Sequence, residues 1–332
     1  MLRPCEMGGA PAEPQITRLL YVLADGSLKP LAPPMHFHGI IPPVVTPLLA
    51  NEDLDLPRFQ WFLDHLIAAR VHALFVLGTN SEFYAFDEAE KQQIVSTAVA
   101  HVAGRLPVII GTGAESTREV IRLTAMAERE GADGVSVITP YYVQPTQDEL
   151  FTHYRRVAES TRLPVMLYNN PGPAGGVKIN PETVGRLVNT CANIVAIKDS
   201  SGDLQNMIDY VRVVPSHVSV FQGRDTIIYP SLVCGAKGAV AASANVAPQL
   251  CVEIYEAFQQ GDATRALAAQ HRLHPVRLSL MLATAPGGPK AAMRLLGIDL
   301  GPSRGPIAPL ADAKLEQMRA ALQEAGLLST SV

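Results

Sequence analysis

The sequence predicts an α/β fold, a (β/α)8 TIM barrel with a C-terminal helical extension. Three observations carry this. Short apolar runs rich in Val and Ile recur eight times between residues 40 and 242. Segments of helical period lie between most of them. Each run begins about 20–35 residues after the last, the spacing of one βα unit.

The runs are 40-IIPPVV-45, 73-ALFVLG-78, 107-PVIIG-111, 134-GVSVI-138, 164-PVMLY-168, 193-NIVAI-197, 217-HVSVF-221 and 238-GAVAA-242. Most are continuously apolar rather than alternating, as expected of parallel strands buried on both faces. The intervening helices carry start and stop signals. Asp87 with Glu90 reads as a capping box, Ser116 stands before TREV with Glu119 three residues on, and Gly104 and Gly131 stand where helices should end. A doubly wound sheet would want a phosphate-binding glycine fingerprint after its first strand. The nearest match, 111-GTGAES-116, follows the third run and has Ser116 in the last glycine's place. After the eighth run the chain reads as helices at 249–261, 262–282, 289–297 and 311–326. The expected organisation is an N-terminal arm (1–35), a barrel (36–245) and a C-terminal helical domain (246–332). Within the proline-rich arm, 16-ITRLLYVL-23 suits one short strand or helix.

Composition narrows the function. The 332 residues are 48% hydrophobic and 17% charged, with net charge -4, which suits a soluble globular protein with a large core. Lys and Arg form no basic stripe, so nucleic acid is a poor partner. No apolar run reaches the ~18 residues needed to span a membrane. Cys5, Cys191, Cys234 and Cys251 lie far apart with no C-x-x-C pair, as expected of free thiols in a reducing cytoplasm. His36-x-His38 lacks a cysteine or carboxylate companion and makes a weak metal site.

The chemistry is sought at the C-terminal ends of the strands, the reactive face of such barrels. That rule sorts the lysines. Lys29 lies in the arm; Lys91, Lys290 and Lys314 lie on predicted helices; Lys178 follows strand five; Lys237 precedes strand eight on the opposite rim. Lys198 alone ends a strand on the reactive face, in 193-NIVAIKDSSGD-203. A lysine amine is nucleophilic only when unprotonated, and its free pKa of about 10.4 must fall through desolvation or a nearby cation. Such an amine forms an imine with a ketone, an electron sink for a neighbouring C–C bond. A strand-edge lysine paired with Asp199 fits the spacing equally well.

Three other strand ends are polar. Strand two ends in 78-GTNSEF-83, whose exposed N–H groups and Thr79 hydroxyl suit a carboxylate, though an ordinary βα turn has similar residues. Strand five ends in 168-YNNPGPAGG-176, where Tyr168 is either a proton relay or a rim tyrosine. Strand four leads into 139-TPYY-142, aromatics suited to a subunit contact.

The ordered set GTNSE, GTGA, TPYY, LYNNP, IKDSSGD, FQG and SANV resembles the dihydrodipicolinate synthase / N-acetylneuraminate lyase family of class I, pyruvate-dependent aldolases, over roughly residues 36–326. The resemblance implies a (β/α)8 barrel, a C-terminal helical domain, a homotetramer built as a dimer of dimers, and imine chemistry needing no cofactor or metal. It also implies roles. Lys198 matches the Schiff-base lysine, and Tyr168 the proton-passing tyrosine. Thr79 and Asn80 match the positions that hold the pyruvate carboxylate. Tyr142 matches the residue inserted into the neighbouring subunit's site, where it joins Thr79 and Tyr168 in a catalytic proton relay, and Gly223 and Val240 match pocket-lining positions.

The departures concern the second substrate. The lysine-biosynthetic synthases have two threonines in the strand-two loop; here Asn80 takes the second place and Ser81 replaces a glycine. Their arginine five residues after the tyrosine is Pro173 here. Loss of such a carboxylate clamp costs ~2–4 kcal/mol of binding, which argues against a lysine-pathway synthase. Arg224, after Gly223, either takes a distal anionic group of the second substrate or pairs with Asp225. The loops also resemble the 4-hydroxy-2-oxoglutarate aldolase branch and the 2-keto-3-deoxy sugar acid enzymes. The sequence therefore predicts a Schiff-base lyase joining or splitting pyruvate and an aldehyde. The alternatives are a 2-keto-3-deoxy acid dehydratase, 4-hydroxy-tetrahydrodipicolinate synthase proper, or a keto-acid-binding protein without turnover.

Overall fold

The computed structural model describes residues 20–22, 28–30 and 37–329. The chain divides into two compact units, residues 1–35 and 36–332. In the first, Leu20–Val22 and Leu28–Pro30 form an antiparallel pair with Tyr21 opposite Lys29. The rest of the 16–23 segment lies outside the described residues, as do His36 and Cys5.

The second unit holds eight parallel strands: β1 (Gly39–Ile41), β2 (Leu74–Val76), β3 (Val108–Gly111), β4 (Gly134–Ile138), β5 (Val165–Asn169), β6 (Ile194–Asp199), β7 (Ser219–Gln222) and β8 (Gly238–Val240). Neighbours in sequence are neighbours in the sheet, and β8 pairs with β1. The remaining gap closes through hydrogen bonds from His72 N–H to the Ile40 carbonyl (2.8 Å), Phe75 N–H to Pro42 (3.0 Å) and Val44 N–H to Phe75 (2.8 Å). The result is the (β/α)8 barrel the strand rhythm predicts. Continuous burial along strands such as β4, β5 and β6 explains the unbroken apolar runs.

Seven helices alternate with the strands: α1 (Leu56–Ala68), α2 (Glu88–Val102), α3 (Thr117–Arg129), α4 (Gln147–Glu159), α5 (Pro181–Thr190), α6 (Leu204–Val213) and α7 (Ile228–Val233). The Asp87–Glu90 capping box forms in both directions. At α3 only half of the pattern is used. Ser116 accepts from Glu119 N–H, while the Glu119 carboxylate turns to Arg122. An ion pair within the helix has displaced the reciprocal cap.

The C-terminal helices are α8 (Pro248–Gln259), α9 (Ala263–Leu280), α10 (Gly287–Leu295) and α11 (Asp312–Glu324). Apolar residues such as Ile254, Leu273, Met293 and Leu322 join the same buried core as the barrel wall. No helix among the described residues is long and apolar enough to cross a membrane.

Candidate active site

The site grows from the register of β5 and β6. Tyr168 pairs with Lys198 and Asn169 with Asp199. Paired residues share a face, and successive residues alternate. Tyr168 and Lys198 therefore both point into the barrel, and Lys198 Nζ lies 3.8 Å from the Tyr168 ring centroid and 5.2 Å from that of Phe75. Lys198 is 3% exposed and has no ion pair among the described residues. A desolvated amine over an aromatic face is held by up to ~2 kcal/mol when charged.

Asp199 is not its partner. The carboxylate faces the helix layer, where it accepts from Asn169 Nδ2 (2.8 Å), Ser201 N–H (3.0 Å), Ser201 Oγ (2.8 Å) and Asn206 Nδ2 (3.0 Å). The ion-pair reading of Lys198 is thereby set aside, because the strand alternates where the reading required two adjacent side chains to meet.

The Tyr168 side chain is buried. Burial pushes its pKa up, but the Lys198 charge and the Thr79, Lys198 and Ser200 groups around the oxygen outweigh this and leave the phenol below its ordinary value. Asn170 Nδ2 donates to the same oxygen at 3.0 Å. The Thr79 hydroxyl lies close enough to favour the ionised phenol, yet it completes no hydrogen bond of good geometry. The Ser136 and Thr139 hydroxyls are likewise buried without partners among the described residues, and Ser136 lines one recess with Thr79, Phe75 and Tyr168.

Thr79–Ser81 is a single 3-10 turn after β2. Its first N–H groups, on Thr79 and Asn80, have no acceptor within the turn. The turn is held from below by Ser81, whose hydroxyl donates to the Val44 carbonyl and accepts from Gly78 N–H (3.1 Å). Where the resemblance expected glycine, serine here ties the turn to the β1 loop. At the end of β2 the Leu77 backbone is left-handed (φ 56°) and presses on Gly111, where a Cβ would lie 2.0 Å from the Leu77 oxygen.

The remaining expected residues are placed as follows. Gly223 follows β7, and a side chain there would meet Ser200 Oγ at 2.1 Å. Val240 is buried at the end of β8. Arg224 Nε donates to the Ser200 carbonyl at 3.0 Å, and Arg224 has no ion pair among the described residues. Its suggested pairing with Asp225 does not occur. Asp225 is buried and accepts from Ser243 N–H (2.7 Å) and Ser243 Oγ (2.6 Å), with Arg277 at 3.6 Å. Tyr142 is 96% exposed with a left-handed backbone (φ 76°), whereas Tyr141 packs edge-on to Phe83. The chain thus brings Lys198, Tyr168 and Thr79 together and leaves Tyr142 outside its own site.

Sequence reasoning missed Asn170 and the interest of Ser200. The signal was present: each stands two residues beyond Tyr168 or Lys198 and so shares its face.

Residues 36–325 match the Dihydrodipicolinate synthetase family. The chain belongs to this family. It is a carbon–carbon lyase or synthase of the class I aldolase type. The chain is 37% identical to the 4-hydroxy-tetrahydrodipicolinate synthase of Desulforudis audaxviator, over 88% of this chain and 99% of that protein. It is 38% identical to an uncharacterized DapA-like lyase of Halobacterium salinarum, over 89% and 96% respectively. Among solved structures, YagE from E. coli K12, a prophage protein of the dihydrodipicolinic acid synthase family in complex with pyruvate, superposes with a TM-score of 0.84. It shares 35% identity with this chain and covers 88% of it and 99% of its own length.

Proposed function

We propose that the enzyme condenses Lys198 with the ketone of pyruvate or a related 2-keto acid and then forms or breaks the adjoining C3–C4 bond. The observation that carries this reading is the enclosed Lys198 amine above the Tyr168 ring, with no carboxylate paired to it among the described residues. The pyruvate bound to YagE supports the choice of keto acid.

The amine lone pair attacks C2, and the carbinolamine loses its hydroxyl as water to give an iminium ion. Loss of a C3 proton yields an enamine, which adds to an aldehyde carbonyl; retro-aldol cleavage runs the same steps in reverse. Hydrolysis frees Lys198. Tyr168, with a lowered phenol pKa, moves protons to and from the carbinolamine oxygen and the new hydroxyl. The N–H groups of Thr79 and Asn80 and the Thr79 hydroxyl hold the keto-acid carboxylate. Gly223 and Val240 shape the pocket wall.

The second substrate in this reading is an aldehyde giving a 4-hydroxy-2-oxoglutarate- or 2-keto-3-deoxy-acid-like product. Pro173 offers no donor to a distal carboxylate, and Arg224, fixed through Nε, leaves its outer nitrogens for one. The exposed, left-handed Tyr142 supports a homotetramer, a dimer of dimers in which that phenol enters a neighbouring site.

Borohydride reduction in the presence of pyruvate followed by mass mapping tests the reading. A reduced adduct on Lys198, absent in Lys198→Ala, is expected. An adduct elsewhere, or none, overturns it.

A further inference from the structure

The steps above give Glu82 no part, yet it is the residue that ends the Thr79–Ser81 turn. Its side chain is fully buried, and it meets the 4% exposed Lys290 of α10 at 3.0 Å. Its other oxygen accepts from Arg304 N–H at 2.7 Å. Lys290 also donates to the Pro302 carbonyl. The Arg304 guanidinium is engaged elsewhere, by the Glu90 carboxylate and the Glu52 and Ala85 carbonyls.

Such a pair is a poor choice for stability alone. Removing two charges from water costs several kcal/mol per ion before their attraction offsets it, and well-packed apolar residues often do as well. Nor does the backbone explain it. Glu82 is left-handed (φ 59°), a conformation that glycine adopts without strain. What the carboxylate adds is direction. Two donors, from α10 and from the Arg304 backbone, pin its two oxygens and so fix the end of a turn only three residues long. The other end is pinned through Ser81 Oγ.

We propose that Glu82 and Lys290 are positioning residues for the keto-acid site: their buried ion pair keeps the Thr79 and Asn80 N–H groups aimed at the substrate carboxylate. This rests on the role given to Thr79 and Asn80 above. Lys290 touches no substrate in this account; it acts through Glu82.

The test is a pyruvate titration of the full chain, read by borohydride trapping and by steady-state kinetics. Lys290→Met, Glu82→Gln and Lys290→Arg are compared at a temperature where circular dichroism shows them folded. Half-saturating pyruvate should rise about tenfold or more in Lys290→Met and Glu82→Gln. The KM for the aldehyde and kcat should change by less than about threefold. Lys290→Arg, which keeps the charge, should recover most of the loss. If Lys290→Met does not fold, Glu82→Gln carries the test, because it keeps an acceptor for Arg304 N–H. Wild-type pyruvate saturation in the folded variants overturns the proposal, as does an equal rise in KM for both substrates. Failure of the wild-type chain to trap pyruvate at all overturns the proposed function as well, so the two failures are distinguishable.

Discussion

Asp199 follows Lys198 directly, yet the two side chains occupy opposite faces of the barrel wall. One lies over the Tyr168 ring inside; the other collects four hydrogen bonds from Asn169, Ser201 and Asn206 outside. Asp199→Asn places an amide where only acceptors are wanted and should cost about 2–3 kcal/mol of stability. In the folded fraction, pyruvate trapping on Lys198 should stay at the wild-type level. A denaturant midpoint and the trapping assay together check this; loss of trapping in folded protein would mean that Asp199 serves the amine after all.

Tyr168→Phe keeps the ring beneath the Lys198 amine and removes the phenol. The rate of adduct formation should fall ~10²–10³-fold, the usual worth of a positioned proton carrier. Because the phenol ionises below its ordinary value of 10.0, the wild-type rate profile should bend on the acid side of that value. The bend should be missing in the variant. A pH series of single-turnover rates checks both.

Arg224→Ala should raise KM for a dicarboxylic partner about 10- to 100-fold, the range of a charge-assisted hydrogen bond. KM for a neutral aldehyde should stay within about twofold. Equal effects on both partners would reject the assignment.

His153 predicts a loss of stability in acid. Burial, with repulsion from Arg156, pushes its pKa down from 6.5 to about 4. Its Nδ1 meets Thr117 Oγ1 at 2.9 Å, and Nε2 is buried without a partner among the described residues. Below the unfolded pKa the unfolded chain takes up a proton that the folded chain refuses. Stability is therefore full above 6.5 and falls as pH drops toward about 4, by on the order of 3 kcal/mol. His153→Asn should flatten this part of the curve, measured as denaturant midpoints across that range.

The barrel was legible because parallel strands buried on both faces announce themselves as unbroken runs of Val and Ile. Lys198 was legible for the same reason: a charge at the end of such a run breaks the pattern. The partners of these residues were not. The spacing that put Lys198 beside Asp199 ignored the two-residue alternation of a strand. Adjacency suggests a pair of Arg224 and Asp225, while Asp225 has its partners in Ser243 and Arg277. By spacing alone Lys290 is one more helix lysine, yet it carries the buried charge opposite Glu82. Pairings across hundreds of residues depend on how helices dock on the barrel, and periodicity reports only which face is apolar.

Glu82 and Lys290 are 208 residues apart, so one side of the ion pair leaves the ribosome long before the other. Glu82 lies directly after the Thr79–Ser81 turn, so that turn has one of its anchors on α10, among the last helices to be made. The turn after the second strand is thus completed by the C-terminal helices, which ties the two ends of the second unit together at a buried contact.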